Sequence, residues 1–425
     1  RRHPHPLDLE LAPKAPQEGG HGVSVRVEEI HSATLERLMS TRTIGVVGVL
    51  LGVFACVLTI PPIEARSIVW SLFVGIVGGC FGIWAAQRGL RRLGWGAVVI
   101  SLMGIGLALL ATRSSSENLN IVFSASLIAS MLVFSTPLVF AGIGGVFSER
   151  SGVVNIGLEG MMLMGAFWGV YGADKGGSWV VGLAAAMLGG GLLALVHAFF
   201  SIHLRADQIV SGTAVNFLAL GITGYFFFQL YHGQNVTVGI STIPSVTLPY
   251  IDDLHFLGPA IGHLNLMVWL SFALVIVSYV VIFKTPIGLR IRACGEHPRA
   301  ADTVGVNVYA VRYGSVIFSG VLAALGGAYL SIGFGGGTFA ENMTTGRGFI
   351  ALAAMIFGAW RPFGTFYAAL LFGFSTALAY RLPIYSDSAA TLFQTLPYVL
   401  TLIAVAGVIG RTVPPAADGR PYTKQ

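Results

Sequence analysis

The sequence predicts an all-α polytopic membrane protein, and three observations carry the prediction. Hydrophobic residues make up 54% of the 425 positions and charged residues only 10%. The mean hydropathy is +0.76, outside the range of ordinary soluble domains. Apolar runs of about 17–25 residues, long enough to cross a bilayer core as helices, follow one another along most of the chain. Lys and Arg are sorted by loop, as chains that span lipid sort them.

The chain opens with a polar stretch of mixed charge, 1–42, which contains His3, Pro4, His5, Pro6 and the Gly19-Gly20 pair. This stretch is expected to be a disordered cytoplasmic tail ending in a short amphipathic segment near 26–40. Forty polar residues ahead of the first apolar run do not make a signal-peptide pattern. Apolar segments then read at 43–60, 67–87, 95–112, 120–146, 153–172, 178–200, 209–231, 265–283, 309–333, 347–360, 362–380 and 392–410. Twelve segments imply 10–12 transmembrane helices. The marginal one is 347–360: at ~1.5 Å per residue it reaches roughly 21 Å, short of a ~30 Å core, which suggests a half-helix or a re-entrant piece.

With the N-terminus inside, fourteen Lys and Arg beyond the tail fall on the cytoplasmic side, and five fall outside: Arg66, Arg113, Lys175, Arg347 and Arg381. That asymmetry places both termini in the cytoplasm. It makes 284–308 a basic inner loop. The loop 232–264, with Asp252 and Asp253 and no Lys or Arg, becomes an outer one. The same sorting accounts for the net charge of +6 without a nucleic-acid partner. Cys56, Cys80 and Cys294 are too few and too scattered for a disulfide framework or a metal site, so no metal is expected. A shift of 193 residues lays Met162, Gly165 and Ala166 on Met355, Gly358 and Ala359. The two copies run in opposite directions in this topology, the sign of an inverted repeat. Chance similarity between Gly/Ala/Met-rich helices gives the same match.

Two stretches carry chemistry. In the inner loop, Thr285 to Val306, Pro298 fits the first turn of a short helix over 298–304 that Gly305 can end. A short helix in a basic loop is a docking surface. The second stretch runs from Phe147 through Glu149, Arg150, Ser151, Gly152, Asn155, Gly157, Glu159 and Gly160 to Met162. Glu159 is the only Asp, Glu, Lys or Arg deep within any apolar segment, and such a group must face a cavity or a partner. Asn155 can cap the following helix, and a carboxylate in its first turn gains from the helix dipole. Gly157 and Gly160 allow close helix approach or a break, and interrupted helices are where transporters often place substrate. Asn155, Gly157, Glu159 and Gly160 are therefore substrate-pathway candidates. A purely structural role for Glu159, as a cap or a buried partner, stands beside that reading. His197 reads as a hydrogen-bonded packing residue. Gly333, Gly335, Gly336 and Gly337 read as a hinge or helix end, since no Lys-Ser or Lys-Thr follows them.

The order Gly288 to Val306 resembles the coupling segment of ABC permeases in the ribose, branched-chain amino acid and nucleoside uptake superfamily. The run Glu149 to Gly160 resembles a signature of its nucleoside type, which works with a basic membrane lipoprotein. Gly346 to Gly358 is a third matching stretch. The resemblance covers roughly 120–410, leaving 43–119 as extra N-terminal helices and 411–425 as a cytoplasmic tail. It implies that Gly288, Arg290, Arg292, Gly295, Glu296, Pro298, Arg299, Ala300, Ala301 and Gly305 contact an ATPase subunit. It also implies a second permease, paralogous or identical, and a solute-binding lipoprotein at the outer face of a bacterial inner membrane. The solute it implies is a nucleoside or a simple sugar. The chain has no Gly-x-x-x-x-Gly-Lys-Ser/Thr, so ATP and Mg belong to the partner, no cofactor is expected in this chain, and it is not expected to be an enzyme. Two other readings remain: an ion-coupled secondary transporter using Glu159 or His197 as a relay, and a permease for branched-chain amino acids.

Overall fold

The computed structural model describes residues 41–58, 68–113, 124–234, 240–247, 249, 254, 258–381, 395 and 413–424. It divides into two compact units, residues 1–59 with 63–112, and residues 60–62 with 113–425. Among the described residues, seven helices are long and apolar enough to cross a membrane. The molecule is a helical multi-pass membrane protein. Helices lie on eleven of the twelve apolar segments. The twelfth, 392–410, and the amphipathic segment near 26–40 lie outside the described residues.

The first unit contains α1 (Thr41–Leu58), α2 (Ile68–Gln87) and α3 (Arg91–Arg113). Glycines let these helices touch backbone to backbone. A Cβ on Gly78 of α2 would lie 3.0 Å from the Gly52 nitrogen and 3.1 Å from the Gly48 oxygen of α1, and one on Gly82 would lie 2.8 Å from the Gly94 oxygen of α3. Val69, Trp70 and Phe73 are exposed, as lipid-facing side chains should be.

The second unit contains α4 (Ala125–Arg150), α5 (Leu158–Gly176), α6 (Trp179–Ala198), α7 (Gln208–Tyr231), α8 (Leu266–Lys284), α9 (Pro286–Glu296), α10 (Pro298–Thr303), α11 (Val308–Ala328), α12 (Arg347–Phe357) and α13 (Pro362–Arg381). Wider, π-type turns extend α6 over Phe199–His203 and α11 over Tyr329–Phe334. The best apolar windows of α4 and α11 are 67% and 72% buried, against about a third for those of α6, α7 and α8. The first two are therefore the axis of the unit, and the others form its rim.

Small residues set the spacing around that axis. Gly165 of α5 lies on Ala324 of α11, Gly190 of α6 on Gly320 of α11, and Gly144 of α4 on the Ser319 carbonyl of α11. A two-stranded antiparallel hairpin, β1 (Ser245–Thr247) and β2 (His263–Asn265), pairs Val246 with Leu264 at the start of α8. The α9–α10 turn lies at the opposite end of that helix. The helix α12 has 11 residues, about 16 Å of rise and too little to cross a bilayer core.

Candidate functional site

Between α4 and α5 the chain leaves the helix over 151–157. Buried backbone groups there need partners from elsewhere, because neither lipid nor bulk water supplies them. The partners are side chains of other helices. Gln208 Oε1 accepts from the Val154 amide at 2.7 Å. His197 Nε2 donates to the Val154 carbonyl at 3.0 Å. Asn216 braces the far end twice, donating from Nδ2 to the Ile156 carbonyl at 3.0 Å and accepting at Oδ1 from the Gly160 amide at 2.8 Å. The Ser148 hydroxyl donates to the Val153 carbonyl at 2.7 Å.

His197 is fully buried. A carbonyl can only accept, so Nε2 carries the proton and Nδ1 faces the Ser211 hydroxyl at 3.1 Å. That fixes the imidazole in a bracing role.

Asn155 is also fully buried. Its amide donates to Ser319 Oγ on α11 at 3.0 Å and approaches Met161 Sδ at 3.5 Å. The N-cap of α5 is Gly157, not Asn155, because the chain stays unwound past the predicted segment start at 153 and the helix begins only at Leu158. Glu159 lies in the first turn of α5 and is 7% exposed. Its Oε1 accepts from the Gly346 amide at 2.8 Å and its Oε2 from the Gly348 amide at 2.6 Å. Glu159 therefore caps α12, whose N-terminal dipole favours a negative charge there. Gly346 has φ +85°, and Gly348 has no room for a side chain, since a Cβ would come 2.5 Å from the Glu159 backbone. Asn155 and Glu159 thus serve different helices. Gly160 packs on α7, where a Cβ would lie 2.9 Å from Ala219 Cβ, and Gly157 lies near Val215 of the same helix.

At the end of α4, Glu149 and Arg150 are part of the helix, which runs four residues beyond the predicted segment end at 146. Glu149 is buried and accepts from Trp360 Nε1 at 2.6 Å. Arg150 donates to the Trp360 and Ala359 carbonyls at 2.9 and 3.3 Å. Both of those residues have φ +53°, so the arginine caps a tight left-handed turn after α12. Arg312 on α11 is 1% exposed and donates from Nε to the Ser151 carbonyl at 3.2 Å. Glu159 is therefore not the only buried charge in a helix: Glu149 and Arg312 join it.

The inner loop folds as two helices, α9 and α10, joined by a single non-helical residue, His297. Thr285 caps α9 by accepting from the Gly288 amide at 3.2 Å. Pro286 and Pro298 occupy first-turn positions, and Gly305, with φ +85°, follows α10. Of the residues predicted to meet a partner, Arg290, Glu296, Arg299, Ala300 and Gly305 are exposed. Gly288, Gly295 and Ala301 are buried and serve packing, while Arg292 and Pro298 are half-buried. The Arg292 guanidinium lies 5.3 Å from the Phe283 ring centre. Gly295 lies against the Arg150 carbonyl so closely that no side chain would fit. Burial pushes the Cys294 thiol up to about 11, with Arg312 opposing, so it stays protonated and unreactive. Among the described residues no cluster of His, Cys, Asp or Glu could hold a metal ion.

Sequence reasoning missed Gln208, Asn216, Trp360 and Arg312, and it named Glu149 in the second stretch without giving it a role of its own. Asn216 and Arg312 had a readable signal, a polar side chain inside an apolar segment. Gln208 and Trp360 had none.

These features define a multi-pass transport-type membrane protein with a braced helix break at its axis and a two-helix turn at one end. Residues 127–405 match the family model described as branched-chain amino acid transport system / permease component, and the chain belongs to that family. It is 44% identical over 310 residues to a guanosine ABC transporter permease protein of Bacillus subtilis, covering 70% of this chain and 96% of that one. It is 41% identical over 314 residues to a nucleoside ABC transporter permease protein of Lactococcus lactis, with the same coverage. A glucose ABC transporter permease protein of Haloferax volcanii is 27% identical over 274 residues, 60% of this chain and 71% of that one. No solved structure matches the chain.

Proposed function

We propose that this chain is a permease subunit of an ATP-driven importer for nucleosides in a bacterial inner membrane. The observation that carries the reading is the 44% identity to a guanosine permease across nearly that protein's whole length. The exposed face of α9 and α10 supports it, because Arg290, Glu296, Arg299 and Ala300 are exposed there. Both termini lie in the cytoplasm, 10–12 helices span the membrane, and 43–119 are extra N-terminal helices preceding the transport domain 120–410. α5 and α12 belong to the two copies of an inverted repeat. A second permease faces this one across the pathway, and a solute-binding lipoprotein docks on the outer loops.

In this reading Glu159 serves the pathway by holding the start of α12 against the start of α5. Its two oxygens are already used by Gly346 and Gly348, so it positions the Gly346 turn and does not ligate solute directly. Asn155, Gly157 and Gly160 complete the break whose movement opens the pathway.

The test is uptake of labelled guanosine, glucose and leucine by the reconstituted complex, with and without the ATPase and with Glu296→Ala plus Arg299→Ala. ATPase-dependent guanosine uptake that the double substitution abolishes is the expected result. Full uptake without ATPase, or preference for glucose or leucine, would overturn the reading.

A further inference from the structure

The described C-terminal residues 413–424 are seated on the α9–α10 turn and on the end of α4. The Ala417 amide donates to the Gly295 carbonyl at 2.8 Å, and the Ala416 amide to Glu296 Oε2 at 3.2 Å. Arg312, already tied to Ser151, donates from Nη1 to the Arg420 carbonyl at 3.0 Å. Gly152, at φ +91°, leaves room for that guanidinium, since a Cβ there would come 2.7 Å from Nη2. Tyr422 is 5% exposed and packs in one apolar cluster with Cys294 of α9, Ala301 of α10 and Val308 of α11. Its ring stands 5.4 Å from that of Tyr309. Asp418 lies beside the Glu149 carboxyl.

The positions of these contacts matter more than their number. A link of one residue, His297, is a hinge between α9 and α10. The tail bridges it: Ala416 and Ala417 hold the end of α9, and Tyr422 packs on both helices. Through Arg312 the tail also reaches Ser151, the first residue of the helix break. Without it, a push on α10 could be absorbed by rotation about His297. With it, α9, α10 and the break move as one piece.

We propose that residues 413–424 are a working part of the coupling apparatus: a strap that locks the α9–α10 hinge, so that displacement of α10 reaches the α4–α5 break. Tyr422 and Arg312 are its positioning residues. The proposal rests on the permease reading, and its test separates the two.

The experiment uses the complete transporter in proteoliposomes and reads solute moved per ATP hydrolysed. Tyr422→Ala and deletion of 414–425 are expected to lower that ratio by about fivefold or more, within the usual range for coupling between distant sites, while the ATPase still copurifies and hydrolyses ATP. Tyr422→Phe, which keeps the ring against Cys294 and Ala301, is expected to retain the wild-type ratio. A purely structural tail would lower uptake and hydrolysis together and leave the ratio unchanged. If the deletion fails to reach the membrane, Tyr422→Ala against Tyr422→Phe decides. An unchanged ratio in Tyr422→Ala, with wild-type uptake dependent on ATP, overturns the strap alone. Absence of ATP dependence in the wild type overturns the permease reading instead.

Discussion

The break at 151–157 and the α9–α10 turn are both places where the backbone leaves a helix, yet they solve the same hydrogen-bonding problem with different chemistry. The first borrows side chains from other helices: Gln208, His197 and Asn216, with Arg312 at Ser151. Its acidic neighbour, Glu159, accepts from two backbone amides. The turn relies on a second stretch of backbone, the tail, which Arg312 in turn holds at Arg420. The difference follows the surroundings. Deep in the unit every buried backbone group needs a side chain brought to it by another helix. At the turn, where Glu296, His297 and Arg299 are exposed, water covers what the protein leaves bare, so main-chain contacts suffice.

Four measurements test that comparison. The largest effect is expected at Glu159. Glu159→Ala leaves the Gly346 and Gly348 amides buried without an acceptor, each unmet donor costing about 1–3 kcal/mol. Glu159→Gln can accept from only one of them. Uptake should fall steeply in Glu159→Ala and less in Glu159→Gln, with thermal unfolding in detergent shifted in the same order. Equal unfolding temperatures in all three proteins would show that Glu159 does not hold α12.

Next is Asn216→Leu, which orphans the Ile156 carbonyl and the Gly160 amide together. It should destabilise by about 2 kcal/mol or more, whereas Asn216→Asp, still able to accept from Gly160, should lose less. Unfolding of the purified proteins reads the difference, and identical values would remove Asn216 from the brace.

At the turn, Arg312→Lys supplies a cation but not a planar fork, so it cannot serve Ser151 and Arg420 at once. Hydrogen exchange over 413–424 should quicken while the amides of 153–156 stay protected. Quickening of both would mean that Arg312 also supplies the stability of the break, beyond the braces from Gln208, His197 and Asn216.

The smallest effect is expected from pH. Burial pushes the Asp418 carboxyl up to about 7 from its ordinary 3.8, with hydrogen bonds to Glu149 and the Gly419 backbone and the Arg312 charge opposing. The docked tail therefore holds a proton that a released tail gives up between about pH 4 and 7. Docking is strongest on the acid side and weakens as pH rises through about 7. Exchange of the tail amides should be slower at pH 5.5 than at pH 8 after correction for intrinsic rates. Asp418→Asn should flatten that dependence, and a tail that tightens with rising pH would contradict it.

Much of the frame was legible because hydrophobic length is a one-dimensional property. The runs at 178–200, 209–231 and 265–283 became α6, α7 and α8 within a few residues. Pro298 and Gly305 marked their own positions, since a fixed φ or a missing Cβ constrains the backbone wherever it lies. Glu159 stood out for being charged in an apolar run. Its partners did not, because Gly346 and Gly348 lie some 190 residues away and nothing local points to them.

By itself, then, the sequence determined that the chain enters lipid, where most of its helices run, and which residues are unusual enough to need a reason. Tertiary structure decided what those residues do. It turned Asn155 from a cap into a brace on Ser319 and Glu159 into the cap of α12, and it showed that Trp360, Arg312 and the tail close over the end of α4. The reason is physical: burial in lipid depends on composition along the chain, whereas a hydrogen bond between buried groups depends on which distant segments the fold brings within about 3 Å.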